Sequence, residues 1–100
     1  MINNELRGYS TNEENLKVIE DFMRKNFKHC TIDRYNYDIT VRYESEKNFP
    51  DPEVKELLEI LPDKRDIYLD CLTADWDSFF CVFYTVESGE WEIAPCYYGR

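Results

Sequence analysis

Tyr35-Asn36-Tyr37-Asp38-Ile39-Thr40-Val41-Arg42-Tyr43-Glu44 alternates large apolar side chains at odd positions with polar ones at even positions. A period of two is that of a strand with one dry and one wet face, so this stretch commits the chain to a sheet, with residues 30–33 either extending the strand or forming a separate short one. The segments on either side have the other period. Upstream, Leu16, Ile19, Met23 and Phe27 recur at helical spacing, with Phe22 widening the stripe. Ser10 with Glu13, or Thr11 with Glu14, fits a capping box at the start of that helix, and Lys25 and Lys28 suit its last turn. Downstream, Asp51-Pro52-Glu53 reads as a helix start with proline in the first turn. Val54, Leu57, Leu58 and Leu61 then form an apolar stripe that Pro62 ends.

Three further strands are expected over 66–72, 78–86 and 91–97. Thr73-Ala74-Asp75 separates the first two, and Ser88-Gly89 forms a two-residue hairpin turn between the last two. In that register each pair of facing residues sums to 177, which sets Cys81 opposite Cys96. Pro95 cannot donate to a ladder and marks an edge strand, while the apolar run Phe79–Tyr84 suits the centre of the sheet. Residues 1–9 read as an irregular arm punctuated by Gly8. The expected architecture is a single α+β domain over 1–100, in the order α-β-α-β-β-β. Two helices cover one face of a mainly antiparallel sheet of about four strands.

The chain has 43% hydrophobic and 16% aromatic residues, enough for a packed core despite a charged third. No apolar run approaches the roughly 18 residues of a membrane span, and the first residues lack the basic and apolar regions of a secretory signal, so the cytosol is the expected compartment. Cys30, Cys71, Cys81 and Cys96 are then expected as reduced thiols, without the C-x-x-C spacing of a zinc site.

Residues 1–30 balance five acids with five bases, whereas residues 31–100 hold sixteen acids against seven bases and carry the whole net charge of −9. Such a surface repels nucleic acid and anionic membranes and attracts basic proteins.

Catalytic patterns are scarce. His29 is the only histidine, and Gly8, Gly89 and Gly99 are too isolated to build a phosphate loop. No cofactor is expected. Asp70, Asp75 and Asp77 gather around the expected turn between two strands and define the enzymatic alternative, a metal-dependent hydrolase. Asp75-Trp76-Asp77 lacks the ligand rhythm of a calcium loop, and aspartates in turns commonly bond nearby backbone.

The remaining candidates belong to a binding surface. Glu53, Glu56 and Glu59 share the outer face of the second helix with one base, Lys55. Asp70, Asp75 and Asp77 surround Trp76, and Tyr97 and Tyr98 lie by the edge strand. Tyrosine and tryptophan give large contact areas at little entropic cost. The expected partner is a basic protein surface, that of a nuclease or another nucleic-acid-binding enzyme. Same-face carboxylates two apart on a strand lie about 6.6 Å from each other, close to the phosphate spacing of DNA. The profile resembles, as a class, two kinds of small acidic inhibitor: phage anti-defence proteins (anti-CRISPR or anti-restriction, including DNA mimics) and the immunity proteins of nuclease toxins. The non-enzymatic alternative is a housekeeping domain that forms homodimers through its tyrosine-rich edge.

Overall fold

In a computed structural model of the protein, residues 2–46, 52–75, 80–87 and 90–97 are described; for 75, 80–86 and 90–97 this covers the backbone alone. The chain is an α+β domain with both helices on one face of an antiparallel sheet. Its elements are β1 (Ile2–Tyr9), α1 (Glu13–Asn26), β2 (Thr31–Tyr35), β3 (Asp38–Ser45), α2 (Pro52–Ile60), β4 (Tyr68–Asp75), β5 (Phe80–Glu87) and β6 (Glu90–Tyr97). The sheet order is β2-β3-β1-β4-β5-β6.

Two expectations about the order are corrected. Residues 1–9 are no arm: Ile2–Tyr9 is an inner strand, paired on one side with β3 and on the other with β4. Its inward positions are Ile2, Asn4, Leu6 and Gly8, so its buried face is half polar or small. Asn4 is satisfied across the sheet, donating to Ser45 Oγ at 2.8 Å while Thr73 Oγ1 donates to Asn4 Oδ1 at 2.7 Å. Gly8 is small because the core requires it. A Cβ there would lie 2.8 Å from Leu69 Cδ2 and 2.9 Å from Ile39 Cγ2, with Ile19 of α1 just above.

The second correction concerns the run from Tyr35, which is broken at Asn36-Tyr37: residues 31–45 form a hairpin whose first strand, Thr31–Tyr35, is the separate short one, and the sheet has six strands. Asn36 takes φ 52°, the left-handed conformation that asparagine tolerates, and Tyr35 pairs with Asp38 across a two-residue loop. The loop reverses the parity of the alternation. Ile39, Val41 and Tyr43 are buried as expected, but Tyr35 and Tyr37 are exposed.

The helices follow their stripes. Leu16, Ile19, Phe22 and Met23 of α1 and Val54 and Leu57 of α2 are buried in one cluster with Leu6, Ile39, Val41, Leu69 and Cys71 of the sheet. Each such side chain contributes roughly 1.5–3 kcal/mol by leaving water. The N-cap of α1 is Asn12, which accepts from Glu14 N, in place of either capping box. Ser10 and Asn15 are occupied elsewhere. Asn15, fully buried, donates through Nδ2 to the carbonyls of Asp63 (2.7 Å) and Asp66 (3.0 Å), and its Oδ1 accepts from Asp63 N at 3.0 Å. Ser10 Oγ donates to the Asp66 carbonyl at 2.6 Å. These bonds fasten the loop after α2 to the start of α1.

At the far side of the sheet, Glu87 pairs with Glu90 and Cys81 with Cys96, the register expected for this hairpin. The edge position of β6, which contains Pro95, is also as expected, but β5 lies second from the edge and not at the centre. β4 continues through Thr73-Ala74-Asp75, where a break was expected.

Candidate functional site

Antiparallel pairing sorts the helix-free face into cross-strand rows. One row, at the end of the sheet marked by the β2–β3 turn, runs Tyr35, Asp38, Tyr9, Tyr68, Glu87 across five strands, and all five are exposed. The next row holds Asp33, Thr40, Arg7 and Asp70, followed by Thr31, Arg42, Glu5 and Leu72. Over the last of these rows and its neighbours lies a groove of about 430 Å³, with His29 and Glu44 among its lining residues.

The two arginines of this face are held by its own carboxylates. Arg7 binds Asp70 through both arms of the fork, Nε to Oδ1 at 2.8 Å and Nη2 to Oδ2 at 3.0 Å. Tyr68 Oη adds a third donor to Asp70 Oδ2 at 3.0 Å. Arg42 bridges Glu5 (3.0 Å) and Asp33 (3.4 Å). The hydrogen bond that Arg7 donates to Asp70, reinforced by the carboxylate's charge, raises the Arg7 pKa, and this guanidinium is always charged. Partial loss of water around the Tyr68 hydroxyl, followed by its bond to Asp70 and that carboxylate's charge, raises the phenol pKa although the ring is exposed. Asp38, Glu44 and Glu87 enter none of the ion pairs found among the described residues, which leaves the face net negative.

The α2 side is acidic for a different reason. Glu56 and Glu59 are exposed and Glu53 is half-buried, and none of the three joins an ion pair among the described residues. The α1 carboxylates Glu13 and Glu20, by contrast, are bridged by Arg34 from β2. The acids of α2 and the rows described above lie on opposite sides of the sheet.

The expected site residues therefore do not converge. Asp70 is no free acid: its carboxylate is buried and bound by Arg7 and Tyr68. Asp75 ends the same strand five residues on, about 16 Å away at 3.3 Å per residue, so one metal ion cannot take both. Among the described residues no group of three or more His, Cys, Asp or Glu is placed to hold a metal. Trp76, Asp77 and Tyr98 lie outside the described residues, and Tyr97 ends β6 with its backbone alone described. Tyr9, Tyr35 and Tyr37 were not among the expected contact residues. The signal for the latter two was Asn36, a residue suited to a tight turn inside an otherwise regular alternation.

No helix among the described residues is long and apolar enough to cross a membrane. No family model matches the chain, and no curated protein or solved structure shows significant similarity to it.

Proposed function

We propose that the protein is an acidic, protein-binding inhibitor of an enzyme that acts on nucleic acid, of the phage anti-defence or toxin-immunity kind. It works in the cytosol by occupying a basic surface and not by catalysis. The observation that carries this reading is the set of carboxylates that join no ion pair among the described residues, seen most clearly on α2. Glu59 stands in the last turn of a nine-residue helix that has no base in that turn, its one basic neighbour on the helix being Lys55 a turn earlier. A negative charge at a helix C-terminus opposes the macrodipole, at a cost of about 0.3–1 kcal/mol. The macrodipole disfavours that placement, and attraction of a basic partner is the use this reading gives it. Nucleic-acid enzymes carry basic grooves, and opposite potential speeds encounter and favours correct docking.

The test is DNA and RNA cleavage by a panel of restriction endonucleases, RNA-guided nucleases and nuclease toxins, with and without one equivalent of the protein. Inhibition of at least one enzyme is expected, with association that slows as salt rises because screening shortens the field to about 8–10 Å. Glu56→Lys with Glu59→Lys should slow association about tenfold, within the range in which interface mutants vary. The melting temperature should hardly move, since exposed charges contribute little to folding. Absence of inhibition across the panel, or binding indifferent to salt, would overturn the proposal.

A further inference from the structure

We infer that the partner docks on the helix-free face, along the row Tyr35–Asp38–Tyr9–Tyr68–Glu87, and presents to it an extended segment rich in arginine. This rests on the inhibitor reading of the preceding subsection and assigns the direct contact to the face opposite α2, whose carboxylates then act on the approach of the partner through their field and not by touching it.

Single exposed apolar residues are ordinary, but a contiguous group is not. Of the five large hydrophobic residues exposed among the described residues, four gather here: Tyr35 at 75%, Tyr37 at 51%, Tyr9 at 46% and Tyr68 at 38%. Three of them, Tyr9, Tyr37 and Tyr68, are exposed yet held in place. Tyr68 Oη is tied to Asp70, and the Tyr9 and Tyr37 rings meet edge to face with centroids 6.3 Å apart. Ser10 N donates to the Tyr37 carbonyl at 3.1 Å and anchors the turn that carries it. Aromatic groups ordered before binding lose little freedom when a partner arrives.

The charge chooses the occupant. Asp38 and Glu87 stand within the row in no ion pair among the described residues, while the arginines of this face are neutralised in neighbouring rows. A second copy of the chain would bring carboxylates against carboxylates, and nucleic acid and anionic lipid are repelled. A guanidinium suits the row on two counts, because it stacks on tyrosine faces and forks onto a carboxylate, whereas a lysine ammonium is a more strongly hydrated point charge. Five strands spaced about 4.8 Å apart make the row about 19 Å long, the reach of about six residues of extended chain.

The experiment is titration of the isotope-labelled protein with a nona-arginine peptide at low salt, followed through its amide resonances, with nona-lysine as comparison. Shifts are expected at residues 9, 35–38 and 68, with nona-lysine bound at least threefold more weakly. Tyr35→Ser with Tyr37→Ser should weaken the arginine peptide at least fivefold, and Asp38→Asn, which removes charge alone, at least twofold. Shifts confined to α2, with the tyrosine and Asp38 variants binding normally, would overturn the inference and leave the inhibitor proposal standing. Equal affinity for the two peptides would overturn the choice of arginine. No binding of either peptide to any surface would sink both readings together.

Discussion

Asn15→Ala removes the side chain that ties α1 to the loop after α2, and its cost can be worked from the bonds it makes. Nδ2, which has two hydrogens, is shared among the Asp63 and Asp66 carbonyls and Ser10 Oγ (3.2 Å), and Oδ1 accepts from Asp63 N, so the equivalent of three bonds is lost together. At about 1 kcal/mol net for each, the loss is about 3 kcal/mol, and it grows if the vacated groups stay dry. A domain of this size has about 5–15 kcal/mol in total, so the variant should fold but melt early. Asn15→Asp is the sharper probe because it keeps the shape. It retains the bond from Asp63 N but turns lone pairs toward two carbonyls, and should be the less stable variant at neutral pH. Burial and those carbonyls raise the pKa of the new carboxyl. Its penalty is therefore present at neutral pH and shrinks as pH falls through that raised value, where the acid gains a proton to donate. Urea melts of the three proteins at neutral and mildly acidic pH measure both effects. A loss below about 0.5 kcal/mol for Asn15→Ala, or an Asn15→Asp penalty independent of pH, would refute the assigned role.

Leu57→Ala should cost about 2–5 kcal/mol in the same melts, since Leu57 is fully buried; a loss under about 0.5 kcal/mol would mean that α2 does not seal the core. Tyr68 should ionise above the ordinary tyrosine value near 10. The stability it contributes is intact below pH 10 and lost as pH rises through its folded pKa; ultraviolet titration against Tyr68→Phe isolates the signal, and ionisation alongside exposed tyrosines would contradict the bond to Asp70. Pro95 has no N–H, so the Val82–Pro95 pair must be of the non-hydrogen-bonded kind and Cys81–Cys96, next to it, of the hydrogen-bonded kind. Facing residues are about 4.5–5.5 Å apart at Cβ, against about 3.8 Å for an unstrained disulfide, so mass spectrometry should find both thiols reduced, with slow crosslinking under oxidant. A Cys81–Cys96 bridge in freshly isolated protein would contradict this.

What could be read from the residues was what depends on near neighbours. The α2 stripe, the helix start at Pro52 and the register of the last hairpin each rest on a handful of adjacent positions, and all three are seen in the structure; Asp51, read as the cap, lies outside the described residues. β1 was hidden because its inward positions include Asn4 and Gly8, which are explained only by Ser45, Thr73, Ile39 and Leu69 far along the chain. The β2–β3 turn was hidden because Tyr35, Asn36 and Tyr37 continue the alternation of β3 without a glycine or proline to interrupt it. Both oversights concealed the tyrosine row, since Tyr9 belongs to the first segment and Tyr35 and Tyr37 to the second. Asp70 looked like a free acid for the same reason: its neutralising partner, Arg7, sits on the strand that was read as an arm.

The inner position of β1 also orders events in time. Asn3 pairs with Glu44 on one side and Ala74 on the other, so this strand stays half-open until Tyr68–Asp75 has left the ribosome. The β5–β6 hairpin, joined by two residues, can close in about 1–10 μs. Insertion of β1 is a long-range step of the kind that slows sheet proteins to milliseconds or seconds. In that interval a nascent chain displays Leu6 and two unpaired strand edges, the features that chaperones bind and that aggregation exploits.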